Sequence, residues 1–152
     1  MMSISSFVYW IRARTAFIPL VAAATTLGVC PASAQSREEV RALFDHGLPN
    51  AEGKKMVAVV VSYPPGAKSL AHRHAASAFI YAYVLSGTIR SQVGDEPAKV
   101  YHAGEGFYEM PGSHHVISEN ASEKEPASLL AIFVVDSTDG PLTTPDKAPG
   151  LQ

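Results

Sequence analysis

The chain has 152 residues, of which 47% are hydrophobic and 17% charged, and its formal net charge is −2. This composition excludes a disordered acidic tail and a basic nucleic-acid-binding protein, and it fits one small globular domain. We therefore expect no nucleic-acid partner.

The first 34 residues have the layout of a secretory signal peptide. Basic residues precede an uncharged stretch over residues 16–29, and Ala32 and Ala34 supply the small residues of a cleavage site. A transmembrane anchor is the alternative, but the apolar stretch is shorter than the roughly 20 residues that a span requires. Cleavage after Ala34 would also remove Cys30, the only cysteine. The pattern predicts a periplasmic or secreted protein with no stable membrane anchor after cleavage.

A short amphipathic helix is predicted near the start of the mature chain, within a lead-in of residues 35–54. Val40, Leu43 and Phe44 recur at the i, i+3, i+4 spacing of one helical face. This spacing predicts a helix over residues 37–46.

Runs of β-branched and aromatic residues, separated by Gly and Pro, follow over residues 55–136. They predict seven short strands, over residues 56–63, 79–85, 88–93, 98–102, 107–110, 115–119 and 128–135. No segment of crossover length separates these runs, which favours an antiparallel sandwich or barrel over a parallel sheet. Ser86-Gly87 and Gly94-Asp95 are predicted to close hairpins. Residues 137–152 contain three prolines and few large apolar residues, which indicates a draped or mobile tail.

The spacing of three of the six histidines favours a metal site. His72 and His74 project from the same face of an extended segment, because side chains alternate along a strand. A Pro111-Gly112 turn leads into a later strand that begins near His115. A barrel would bring this third imidazole toward the first two.

These residues resemble the two motifs of the cupin family, and the resemblance covers about residues 56–135. The first motif is similar to Gly66, His72-Arg73-His74 and Tyr83-Val84-Leu85-Ser86-Gly87, and the second to Gly104, Met110-Pro111-Gly112 and His115. The resemblance implies a small single-domain, type-2-like cupin. We therefore expect an all-β fold, a cupin-type double-stranded β-helix or jelly-roll barrel over residues 55–136, with the short helix before it.

The resemblance also implies a divalent transition metal held by His72, His74 and His115. Imidazole suits Fe, Mn, Ni, Cu and Zn, so the sequence leaves the identity of the metal open. The family usually adds a glutamate ligand, and the matching position here is Ile80. Glu109, on the strand that enters the second motif, replaces this ligand, acts as a general base or points outward into solvent.

Several functions fit these features, because a fold does not specify a reaction. The first is a metal-dependent enzyme of the dioxygenase type that acts on a small molecule. The alternatives are a non-enzymatic cupin that binds or senses a small molecule and a structural homodimer. Few charged residues flank the histidines, which predicts an apolar pocket. Strand edges in so small a barrel need cover, which favours a homodimer.

Overall fold

The computed structural model describes residues 37–147, and in this range the chain forms ten β-strands and no helix. The predicted signal peptide and its cleavage site lie outside the described residues. No helix that could cross a membrane is found within the described range. The strands in chain order are β1 (Glu39–Gly47), β2 (Lys54–Tyr63), β3 (His72–His74), β4 (Phe79–Ser86), β5 (Thr88–Val93), β6 (Lys99–His102), β7 (Gly106–Glu109), β8 (His114–Asn120), β9 (Ala127–Asp136) and β10 (Thr143–Pro145).

The strands form two five-stranded antiparallel sheets, as a double-stranded β-helix requires. The first sheet has the order β1-β2-β9-β4-β7 and the second the order β10-β3-β8-β5-β6. Alternation along the strands supplies the core, and β9 buries every second residue from Ala127 to Val135. Ile80 of the first sheet and Ile89 of the second are both fully buried in one core. The predicted all-β barrel is confirmed.

All seven predicted strands are present, but one of the two predicted hairpins is wrong. The Gly94-Asp95 turn joins the paired strands β5 and β6. Ser86-Gly87 instead links β4 to β5, which belong to different sheets. Gly87 has a φ of 69°, and a Cβ there would lie 2.5 Å from the carbonyl oxygen of Pro126. This glycine therefore allows the chain to pass close to Pro126 where it crosses from the first sheet to the second.

The predicted helix over residues 37–46 is also wrong, because residues 39–47 form β1. This strand pairs with the edge of β2, with a register shift between Ala42 and Phe44. The side chains that suggested a helical face do not enter the core, since Val40, Leu43 and Phe44 all remain about half exposed. A helix this short is marginal without an apolar surface to cover. Main-chain bonds to the free edge of β2 stabilise the strand instead.

Residues 137–147, the described part of the predicted C-terminal tail, lie against the barrel. β10 pairs with β3 along the edge of the second sheet, with Thr143 opposite His74 and Pro145 opposite His72. The sheets therefore extend from Glu39 to Pro145, beyond the predicted barrel limits of 55 and 136.

Candidate metal centre

Two neighbouring strands of the second sheet bring the three predicted histidines together. His72 and His74 lie on β3, two residues apart, and His115 lies on β8 directly opposite His72. One ring nitrogen from each histidine lies within 4.8 Å of the others. His74 and His115 are buried, whereas His72 is partly exposed to the cavity. The arrangement brings three imidazoles to one point inside the barrel.

Glu109 enters the same cluster from the opposite sheet. Its side chain is 3% exposed, which excludes the outward-facing orientation. One carboxylate oxygen, Oε2, lies 3.1 Å from Nε2 of His74, and the other, Oε1, lies 3.3 Å from Nδ1 of His115. Strand β7 places Glu109 directly opposite Ile80 of β4. The resemblance implies a glutamate at the position of Ile80 on β4. The carboxylate comes instead from the neighbouring strand, β7.

Hydrogen-bond acceptors define which nitrogen of each histidine carries the proton. Nδ1 of His72 lies 2.7 Å from the carbonyl oxygen of Leu70, and Nδ1 of His74 lies 3.4 Å from that of Leu142. A carbonyl oxygen only accepts, so both Nδ1 atoms donate and both Nε2 atoms of the neutral rings keep a lone pair. Nδ1 of His115 faces the Glu109 carboxylate in the same way. Such acceptors orient metal-ligating histidines in general.

Nε2 of His74 is the atom that best fits a metal ion. It is buried and has no hydrogen-bond partner, although Oε2 of Glu109 lies 3.1 Å away. A lone pair and a carboxylate oxygen repel each other at this distance, whereas a cation between them would be bound by both. The donor set of three imidazoles and one carboxylate is also a common one for transition metals.

The electrostatics of the cluster keep its groups in metal-binding forms. Burial lowers the pKa of His72 below its ordinary value, which favours the neutral ring. Burial alone would raise the pKa of Glu109, but the hydrogen bond with the adjacent His115 favours the ionised form, and that pKa lies well below its usual range. At neutral pH the cluster therefore combines the neutral ring of His72 with the carboxylate anion of Glu109.

A cavity of about 890 Å³ opens beside these four residues. Its walls are mainly apolar, with side chains from both sheets that include Val59, Ile80, Phe107, Leu129 and Phe133. Among the described lining residues, the lysine and arginine side chains are Lys68 and Arg37, and both are exposed to solvent. This lining agrees with the predicted apolar pocket. The volume of the cavity falls within the usual range for small-molecule sites.

A second buried polar group on the cavity wall was not predicted from the sequence, and we name it the hydroxyl cluster. The hydroxyl of Tyr63 lies 2.8 Å from those of both Ser69 and Ser118. Burial raises the pKa of Tyr63 above its ordinary value. Ser91 was also missed; its hydroxyl lies 2.9 Å from Nε2 of His115. Inward positions on strands β2, β5 and β8 are the signal that could have identified these residues.

Comparison with known proteins agrees with this architecture. The family model described as a cupin domain matches residues 59–133. An uncharacterized conserved protein with a double-stranded beta-helix domain from Klebsiella pneumoniae has 19% sequence identity and a TM-score of 0.57, with 79% of this chain and 91% of that chain covered. The cupin domain of Schizosaccharomyces pombe Cnp3 has 21% identity and a TM-score of 0.53, with 66% and 62% covered.

A recombinant oxalate oxidase in complex with glycolate has 23% identity to this chain and a TM-score of 0.50. The alignment covers 63% of this chain and 50% of the oxidase. At these identities the likeness concerns the fold alone. No curated protein matches the chain.

Proposed function

Because this chain belongs to the cupin superfamily, we propose that it is a metal-dependent enzyme of the oxygenase type that acts on a small apolar molecule. His72, His74 and His115 would hold a divalent transition metal, and the substrate would occupy the adjoining cavity. The observation that carries this proposal is the buried, unpartnered Nε2 of His74 beside the Glu109 carboxylate. Such an arrangement costs free energy in the metal-free protein and is relieved by a bound cation.

A metal at this point would supply Lewis acidity and, for Fe, Mn or Cu, redox chemistry. The apolar walls would bind the body of the substrate and exclude water from its reacting end. Glu109, ionised and buried, is placed to accept a proton from a substrate hydroxyl that reaches the histidines. Its position also fits a fourth ligand, and the variant Glu109→Gln separates the two roles.

The cavity favours a neutral or weakly charged substrate over a small dianion. The likeness to oxalate oxidase raises a dicarboxylate as the alternative substrate. Arg37 and Lys68, the lysine and arginine side chains among the described lining residues, are both exposed to solvent. A divalent metal would carry two positive charges, of which Glu109 balances one, so a bound dianion would leave one buried negative charge unbalanced, which is costly. We therefore favour phenolic or diketone compounds, which combine an apolar body with oxygen atoms that bind metals.

The test combines metal analysis with oxygen uptake on purified mature protein. We expect a bound transition metal, with uptake on phenols or diketones and none on oxalate. Tight retention of a ligand without turnover would replace the enzyme with a binding or sensing protein. A protein that takes up none of the five metals would contradict both metal-dependent functions.

We also propose that the chain is exported and cleaved after Ala34, on the strength of its sequence pattern. The intact mass of protein recovered from the cell envelope or medium should correspond to a chain that starts at Gln35. A full-length product that needs detergent for extraction would contradict export with cleavage.

We propose in addition that the protein is a homodimer. The support is β1, a nine-residue edge strand whose residues are all exposed, including Val40 and Phe44. Native proteins usually cover such an edge. Sedimentation of the mature chain should give the mass of a dimer, and a monomer at high protein concentration would contradict this.

A further inference from the structure

Residues 137–147, which we name the C-terminal strap, lie along the free edge of β3. Within the strap, β10 pairs with all three residues of β3, and two of those residues are His72 and His74. The side chain of Leu142 lines the cavity. The strap is therefore the outermost element of the wall that carries the histidines.

Side-chain hydrogen bonds secure one end of the strap. The carboxylate of Asp139 accepts bonds from the backbone N–H and the hydroxyl of Ser77, at 2.9 and 2.7 Å. The Ser77 hydroxyl oxygen in turn accepts a bond of 2.8 Å from the backbone N–H of Asp136. These bonds fix the point at which the chain leaves β9 and turns toward β3.

The other end is secured by Asp146. Its carboxylate lies 2.8 Å from Nε2 of His114, and its backbone N–H donates to the carbonyl oxygen of Ala71 at 2.9 Å. His114 begins β8, so this contact ties the strap to the strand that carries His115. Both ends of the strap are thus held by a carboxylate.

Between these ends, the strap supplies the hydrogen-bond acceptor for one histidine. The carbonyl oxygen of Leu142 accepts a bond from the backbone N–H of Ala75 at 3.1 Å and faces Nδ1 of His74 at 3.4 Å. His72 is oriented by Leu70, two residues away, whereas His74 depends on a residue 68 positions later in the chain. The proton position of His74 is therefore the one that the strap controls.

We propose that the C-terminal strap is a positioning element of the metal centre. The carbonyl of Leu142 holds the proton of His74 on Nδ1, and Nε2 is thereby presented to the metal as a lone pair. Release of the strap leaves either ring nitrogen free to carry the proton and lowers the metal affinity. This inference rests on the proposed metal-binding function, but its first consequence, the position of the proton on His74, concerns the metal-free protein.

The test uses the full mature chain and the double variant Asp139→Ala/Asp146→Ala, which removes both carboxylates that hold the strap. The matched control is Asp45→Ala/Asp95→Ala, which removes the same charge from β1 and from the β5–β6 turn. Zn²⁺ alone is the probe in a calorimetric titration. We expect the strap variant to bind Zn²⁺ about 10- to 100-fold more weakly, the usual effect of losing a group that orients a ligand, and the control to bind it normally.

A second measurement separates this inference from the proposed function. Nitrogen chemical shifts of the His74 ring, recorded by NMR without metal, should report a proton on Nδ1 in the wild type and control, and a mixture of both forms in the strap variant. The single variants Asp139→Ala and Asp146→Ala, each with one tether left, are measured alongside in case the double variant unfolds. If the wild type binds no metal, the proposed function fails and the NMR result still decides the inference. Unchanged Zn²⁺ affinity and an unchanged His74 ring in the strap variant would overturn it.

Discussion

Two buried polar clusters line the same cavity, and they differ in whether their hydrogen bonds are complete. In the hydroxyl cluster, Tyr63 bonds to Ser69 and Ser118, and each hydroxyl is able both to donate and to accept. In the metal centre, Nε2 of His74 faces the Glu109 carboxylate without a hydrogen bond. Buried polar atoms are almost always paired, so an exception needs an explanation. We interpret the complete cluster as structural and the incomplete one as a binding site.

Removal of a proposed ligand should produce the largest difference between the two clusters. His115→Ala takes away one of three imidazoles, so we expect Zn²⁺ affinity to fall by more than the roughly 100-fold upper range of changes beside a ligand. Calorimetric titration with Zn²⁺ measures this. Tyr63→Phe, the matched change in the hydroxyl cluster, should leave the affinity within about twofold.

His72→Ala provides an independent check on the location of the site. It removes the opposing imidazole on β3 and should cause a loss of the same order. Full metal content in both His72→Ala and His115→Ala would mean that the metal binds elsewhere.

Glu109→Gln, an almost isosteric change, should separate stability from function within the metal centre. The amide N–H is able to donate to the lone pair on Nε2 of His74, which removes the unpaired atom. We therefore expect the metal-free variant to melt at the same or a higher temperature. If Glu109 is the fourth ligand, loss of its carboxylate should at the same time weaken Zn²⁺ binding about 10- to 100-fold.

The same variant distinguishes the two roles of Glu109. Reduced metal content indicates a ligand, whereas full metal content with reduced turnover indicates a base. Normal metal affinity and normal turnover in the variant would show that Glu109 is neither a ligand nor a base.

The sequence predicted most of the barrel because its signal is local. β9, for example, is a continuous apolar run from Leu129 to Val135, which predicts a strand, and the period of two along a strand then buries every second residue. The shared face of His72 and His74 follows from the same period of two. Glu109 was different, because its position depends on how β7 pairs with β4, and register between distant strands leaves no local pattern.

Two other parts of the molecule were beyond prediction from the sequence. The carbonyl of Leu142 is a main-chain group, so residue identity gives no indication that it orients His74. The helix predicted at β1 is wrong because Val40, Leu43 and Phe44 have helical spacing, whereas pairing with the edge of β2 determines their conformation.

Tyr63→Phe should reduce stability, although it leaves metal binding unchanged. It deprives the buried Ser118 hydroxyl of its partner, which costs about 1–2 kcal/mol in the free energy of unfolding. Urea denaturation at pH 7 measures this loss. A loss of Zn²⁺ affinity in this variant would contradict the separation of the two clusters.

The stability that Tyr63 contributes should also depend on pH in a defined direction. Burial raises the pKa of Tyr63 in the folded protein. The contribution is therefore complete below the pKa of an unfolded tyrosine, about 10, and is lost as the pH rises through the higher pKa of the folded state. The difference between wild type and Tyr63→Phe should shrink in urea denaturation above pH 10, and a difference that grows would contradict this assignment.

The smallest expected effect comes from two serines that face each other across β5 and β8. Ser91 and Ser118 are partners in register, but the hydroxyl of Ser91 bonds to Nε2 of His115, whereas that of Ser118 bonds to Tyr63. Since Nδ1 of His115 faces a carboxylate, its Nε2 accepts the proton of Ser91, and a metal must displace that bond. A typical hydrogen bond contributes about 1 kcal/mol, so Ser91→Ala should bind Zn²⁺ roughly fivefold more tightly. Ser118→Ala should lower the free energy of unfolding by about 1 kcal/mol, because it removes one hydrogen bond, and it should leave Zn²⁺ affinity unchanged. Equal affinities in the two variants would mean that Ser91 does not compete with the metal, and the difference between the two clusters would then depend on His74 and Glu109 alone.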